Sequence, residues 1–172
     1  MSTSSPGHSF IIREASPADL SQLVEVHVTS WNATYPGYHP KPTPQLREAQ
    51  WKKLFEEKED DWFCYVVENS EGNIVGFATG NNFQDAELPY KGQLHKIHFY
   101  KAYHRMGLGT KLVGFVARRL LSNGINSMIL FADPANPNIG FYDMLGGERI
   151  HDKEGKFHGA FGWIDLQELS RL

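Results

Sequence analysis

The chain of 172 residues carries a single cysteine, Cys64. No disulfide framework can staple it, and no thiolate cluster can hold a structural zinc. No apolar run approaches the roughly 20 residues that a membrane-crossing helix needs. With 17 Lys and Arg against 20 Asp and Glu, the formal charge is −3, so the basic footprint of a nucleic-acid binder is missing. The opening MSTSSPGHS lacks the basic start and apolar core of a secretion signal. These absences predict a cytoplasmic protein with no membrane and no nucleic-acid partner. Residues 1–8 read as a loose tail, and 9–172 as one domain long enough for a sizeable core.

What is present is an alternation of strand-like and helix-like segments without repeats or linkers. Residues 9–13 (SFIIR) are a short apolar strand. Ser16, Pro17 and Asp19 then form a helix start, with a cap, a first-turn proline and an acid near the positive end of the dipole. Leu20, Leu23, Val24, His27 and Trp31 follow at helical spacing. Four prolines from Pro36 to Pro44 impose a loop, and Thr43-Pro44 restarts a helix carrying Leu46, Trp51, Leu54 and Phe55. The acidic run at 56–61 reads as a solvated connection, or as an attractor for a cationic substrate.

Strands are expected at 62–68 and 74–81, joined by the turn Asn69 to Asn73, and at 94–100. A long amphipathic helix runs to Ser122 and ends at Asn123-Gly124. An apolar strand at 128–132 precedes a short helix opened by Asn136-Pro137 and closed by Gly146-Gly147. A final hairpin turns at 152–156 and runs into 160–166. The order β-α-α-β-β-β-α-β-α-β-β predicts an α/β fold: a mixed, mostly antiparallel sheet of six or seven strands, with helices on both faces.

The chemistry concentrates at HRMGLGTKL, His104 to Leu112. A triphosphate-binding loop needs G-x-x-x-x-G-K-[ST], which is missing. A dinucleotide fingerprint needs G-x-G-x-x-G in a first βαβ unit, whereas Leu112 follows here and three strands come first. Two uses remain. The glycines could serve only close strand–helix packing. Alternatively, the amides of Arg105, Met106, Gly107, Leu108, Gly109 and Thr110 cradle a pyrophosphate at a helix N-terminus, where a Cβ would block the approach.

Tyr103 to Gly109, preceded by LHKIHFY, resembles the [QR]-x-x-G-x-[GA] segment of the GNAT-type N-acetyltransferase superfamily. Asn136 to Gly147 (NPNIGFYDMLGG) is similar to the family's N-P-x-x-x-F-Y-x-x-L-G-G. His27 to Trp31 with Thr34 to Gly37 resembles an H-x-x-S-W-x-x-x-Y-x-G opening, and FGWIDL at 161–166 resembles the closing strand. The likeness covers about residues 10–168. His104 departs from the family's Gln or Arg, and Gln93 stands where relatives often place a glutamate.

The resemblance implies a central strand that splays at an acetyl-CoA site. It implies that main-chain groups of Ile97, His98 and Phe99 bind pantetheine and face the thioester carbonyl, and that Tyr142 protonates the departing thiolate. Asn136 then caps the short helix and contacts the cofactor, while Trp31 and Tyr35 border the acceptor pocket. Each aromatic also fits a plain packing role. An alkylamine with a pKa near 10.4 must shed a proton at a cost of roughly 4 kcal/mol. His95, His98, Glu68, Asp85, Glu87 and Asp133 are the candidate bases, with none singled out. His95 and His98 are an odd number apart on one strand, which predicts opposite faces and no shared metal.

The expected activity is acetyl transfer from acetyl-CoA to a primary amine, in a small molecule or a peptide, by direct attack. Cys64 lies outside the matched segments, which disfavours a covalent thiol route. A degenerate CoA-binding sensor is the alternative. The acceptor's identity, and whether the chain forms a homodimer, are left open.

Overall fold

A computed structural model describes residues 9–172; the expected tail at 1–8 lies outside the described residues. The strands are β1 (Ile11–Glu14), β2 (Phe63–Glu68), β3 (Ile74–Asn82), β4 (Gly92–Phe99), β5 (Met128–Phe131), β6 (Glu148–His151) and β7 (Phe157–Trp163). The helices are α1 (Leu20–Thr34), α2 (Pro44–Glu57), α3 (Leu108–Ser122) and α4 (Gly140–Met144). The strands form one open seven-stranded sheet in the order β1-β2-β3-β4-β5-β7-β6. Every ladder is antiparallel except β4–β5.

Strand alternation sorts the core into two layers. Val67, Val75, Ala78 and Leu94 face α3, which buries Leu112, Val113, Val116 and Leu120 against them. Cys64, Val66, Ile74 and Phe77 face the other way, onto Leu23, Val24 and Val26 of α1 and Trp51 of α2. Helices therefore cover both faces. On α1 the buried positions are Leu23, Val24, Val26, His27 and Ser30. The buried stripe is thus turned relative to the apolar one read from the sequence, and Trp31 is only half-buried.

Three local features differ from the sequence reading. The helix expected at Asn136-Pro137 begins later, at Gly140, because Asn136 Oδ1 accepts from the Asn138 N–H at 2.8 Å. Asn136 thus makes a side-chain turn ahead of the helix and does not cap it. The last strand is Phe157–Trp163; after it the Leu166 N–H donates to Asn126 Oδ1 at 2.9 Å, outside the sheet. On β4, Thr79 pairs with Lys96 and Gly80 with Leu94, so His95 is the extra residue of a β-bulge. That bulge breaks the alternation from which opposite faces for His95 and His98 were expected.

Candidate active site

The β4–β5 ladder holds only two residue pairs, Gly92 with Met128 and Gln93 with Ile129. Beyond them the strands part. The Tyr100 N–H donates to the Val75 carbonyl at 3.1 Å, which fixes which edge of β4 each residue uses. In an antiparallel ladder alternate residues bond to the same neighbour, so His98 and Lys96 bond toward β3. Ile97 and Phe99 turn their peptide groups toward the gap. His104 Nε2 lies 3.1 Å from the Phe99 carbonyl and is the donor of that pair, since a carbonyl only accepts. The residue that departs from the family pattern therefore ties the glycine loop to β4.

The gap opens onto a cavity of about 630 Å³. One wall is the start of α3. Gly107 is its N-cap with φ +77°, and Arg105 also has a positive φ of 61°. No amide from 105 to 110 has a protein acceptor among the described residues; the first bonded one is Lys111, onto the Gly107 carbonyl at 3.2 Å. Six successive free N–H groups at the positive end of a helix suit an anion with several oxygens. A Cβ on Gly107 would meet no protein atom within 4 Å, whereas one on Gly109 would lie 3.3 Å from Phe141. The space beside the first glycine is open, and the second lets α3 sit close to α4.

The opposite wall is α4. Tyr142 is buried, 8% exposed, with Phe141 and Phe161 each 5.4 Å away. Burial, with a smaller contribution from Tyr35, pushes its phenol up to about 12. The remaining wall comes from α1 through Ser30, Thr34 and Tyr35. Ser30 Oγ is 3.1 Å from His98 Nδ1. Burial first, then Lys96 and Arg47, push His98 down to about 4, so its ring is neutral at neutral pH. Behind it, Trp51 Nε1–H donates to His27 Nδ1 at 3.0 Å.

Of the residues singled out from sequence, Tyr35, Ile97, His98, Phe99, Arg105, Gly107, Gly109, Thr110, Asn136 and Tyr142 line this one cavity. Three do not. Trp31 stands behind Tyr35, their rings 5.1 Å apart; Leu108 is in the core, and Met106 points outward. Ser30, Tyr103, His104, Asn138 and Phe141 also line it. Ser30 lay inside a matched segment, but only the fold reveals that it meets His98. Of the six candidate bases, His98 alone reaches the cavity. The acidic run stays outside it, with Asp61 accepting from Asn82 Nδ2 at 2.8 Å.

Residues 23–146 match the family model described as "Acetyltransferase (GNAT) family". The chain belongs to the GNAT acetyltransferase family. A relative from Bacillus subtilis, the uncharacterized N-acetyltransferase YuaI, is 30% identical over 173 residues, spanning 94% of this chain and 96% of the relative. Among solved structures, the PaiA N-acetyltransferase of Thermoplasma acidophilum in complex with coenzyme A superposes with a TM-score of 0.72, at 20% identity over 90% of this chain and 98% of that one. Salmonella typhimurium YncA, a putative acetyltransferase with acetyl-CoA, gives 0.65 at 18% identity, covering 94% and 96%. Both share the GNAT fold, and the chain is an acyl-transferring enzyme.

Proposed function

We propose that the protein acetylates a primary amine, with acetyl-CoA bound along the β4–β5 gap. The observation that carries this reading is the run of six free amides, 105–110, with Arg105, Gly107, Gly109 and Thr110 lining the same cavity as Tyr142. The residues present fit the cofactor: the cradle accommodates a pyrophosphate, and the position a Gly107 Cβ would fill is open. When bound, acetyl-CoA supplies an acetyl group activated as a thioester.

The chain's own groups then have defined tasks. The peptide N–H groups of Ile97 and Phe99, unpaired toward β5, are donors for a carbonyl oxygen; donors of this kind are worth about 3–4 kcal/mol each in other enzymes. Tyr142, held protonated by its buried setting, keeps a proton available beside the cavity for a departing sulfur. His98 is neutral, and in the tautomer whose Nδ1–H donates to Ser30 Oγ its Nε2 offers a lone pair for the amine proton. Arg105, Gly107, Gly109 and Thr110 hold phosphate oxygens through the backbone, and Asn136 sits beside the Tyr35 hydroxyl at the mouth. Cys64 is buried, its thiol pushed far up by that burial, and it does not line the cavity. A thiol-bound route thus lacks its nucleophile, and the reading is direct attack.

The test is thermal unfolding with and without acetyl-CoA. Saturating binding at a hundredfold excess over Kd stabilises by about 2.7 kcal/mol. An unfolding temperature that does not move at millimolar acetyl-CoA would discard the cofactor assignment.

A further inference from the structure

Four basic side chains are half-buried among the described residues: Arg13, Arg47, Lys96 and Arg119. Two of them are matched. Arg13 holds Asp19 at 2.8 Å and Glu68 at 2.9 Å, and Arg119 holds Glu14 at 3.2 Å. The other two have no carboxylate within ion-pairing distance among the described residues. Arg47 donates only to Gln50 Oε1, at 3.1 Å, and its guanidinium lies 5.5 Å from the centre of the Trp31 ring. The Lys96 ammonium lies 5.9 Å from that of Trp51. Taking a cation out of water without a counter-charge is costly, and here it happens twice in one place.

That place adjoins the α1 wall of the cavity. Lys96 and His98 are two apart on β4 beyond the bulge, and so share a face of the sheet. Arg47 connects to the cavity through two rings: it lies on Trp31, and Trp31 packs on Tyr35 of the cavity wall. Lys96 and Arg47 also feel one another: burial, then Arg47, lowers the Lys96 ammonium below its ordinary value.

We propose that Lys96 and Arg47 receive an anionic substituent of the acceptor, so that the substrate class is a small amine carrying a carboxylate or phosphonate. The inference rests on the acetyltransferase reading above and adds the acceptor's charge. The same two cations disfavour an ammonium and favour the free amine that attacks, so one arrangement serves both recognition and deprotonation. A polycation such as a polyamine meets repulsion at this wall.

The full-length protein, saturated with acetyl-CoA, is given L-leucine, β-alanine and aminoethylphosphonate. Each is set against an uncharged counterpart (L-leucinamide, β-alaninamide, ethanolamine) and against spermidine. CoA release and thermal stabilisation by each amine are read in parallel. Anionic amines are expected to exceed their counterparts in kcat/KM by about tenfold or more. Lys96→Met, which keeps the stem on Trp51, and Arg47→Gln are each expected to narrow that gap through KM, with the acetyl-CoA shift preserved. The carboxylate and phosphonate arms identify which anion is taken. A preference for spermidine or for the neutral amines, a gap that both variants leave intact, or binding of acetyl-CoA with no anion-dependent response in either readout, overturns the proposal and spares the family assignment. A protein that neither binds acetyl-CoA nor releases CoA with any amine sinks the underlying reading instead.

Discussion

Trp51 donates its indole N–H to His27 Nδ1 across the α1–α2 interface, at 3.0 Å and in full burial. The bond requires a lone pair on Nδ1, so His27 is neutral with its proton on Nε2. Burial, and then the nearby His98, hold His27 down to about 2.

A stability prediction follows from the sign of that shift. Below a pH of about 6.5 the unfolded chain binds a proton at this histidine that the native chain refuses. Stability should therefore fall as the pH drops from about 6.5 toward 2, by up to about 1.4 kcal/mol per pH unit from His27. His98 acts in the same direction down to about 4. Urea midpoints measured between pH 7.5 and 4.5 check this. His27→Gln should be less stable at the upper end and decline less steeply; parallel curves for the two proteins would refute the assignment.

Tyr142→Phe removes one oxygen from the cavity wall and leaves the ring between Phe141 and Phe161. Turnover is expected to fall by about 10²–10³-fold, in line with general-acid effects elsewhere. The unfolding temperature and acetyl-CoA affinity should stay close to those of the parent. Single-turnover kinetics separates the chemical step from product release. A variant within about threefold of the parent in that step means that another group delivers the proton.

Gly107→Ala addresses the cradle. At φ +77° a side chain is strained, at a cost of about 1 kcal/mol, yet the new methyl touches nothing in the protein. In the proposed binding mode it would stand where phosphate oxygens approach the amides. Acetyl-CoA affinity should drop by more than the stability loss accounts for, as titration calorimetry beside denaturation would show. Unchanged affinity in a slightly destabilised protein would place the phosphates elsewhere.

Gly76→Ala tests the same site from behind. The Phe99 ring fills the space beside Gly76 of β3, and a methyl there would run into it. Overpacking of this kind costs about 1–3 kcal/mol, and the displaced ring belongs to the cavity wall. Loss of stability together with weakened acetyl-CoA binding is the expected pair, read by thermal unfolding in both ligand states. Loss of stability alone would show that Phe99 does not shape the donor site.

Much of this architecture was legible in the residues. Helix caps, turn glycines and apolar periodicity are local signals, so the order of strands and helices, the glycine turn and the position of Tyr142 on a short helix could all be read along the chain. What could not be read depends on contacts between distant segments. The His95 bulge arises from register with β3, and the late start of α4 from a side chain choosing one amide over another. The Ser30–His98 contact joins residues 68 apart, each unremarkable alone. Trp31 looked like a pocket residue by its neighbours, yet the turn of α1 set it behind Tyr35. Lys96 and Arg47 look like ordinary surface charges until their lack of carboxylates is seen in space.

The early parting of β4 from β5 makes the sheet a partition with a slit in it. In the function proposed above, a donor gripped at the α3 side and a guest admitted from the α1 side arrive by separate doors and meet only in the opening. On that proposal, exchanges among Arg47, Trp31, Tyr35 and Lys96 retune which guest is welcomed, while residues 105–110 keep their grip undisturbed.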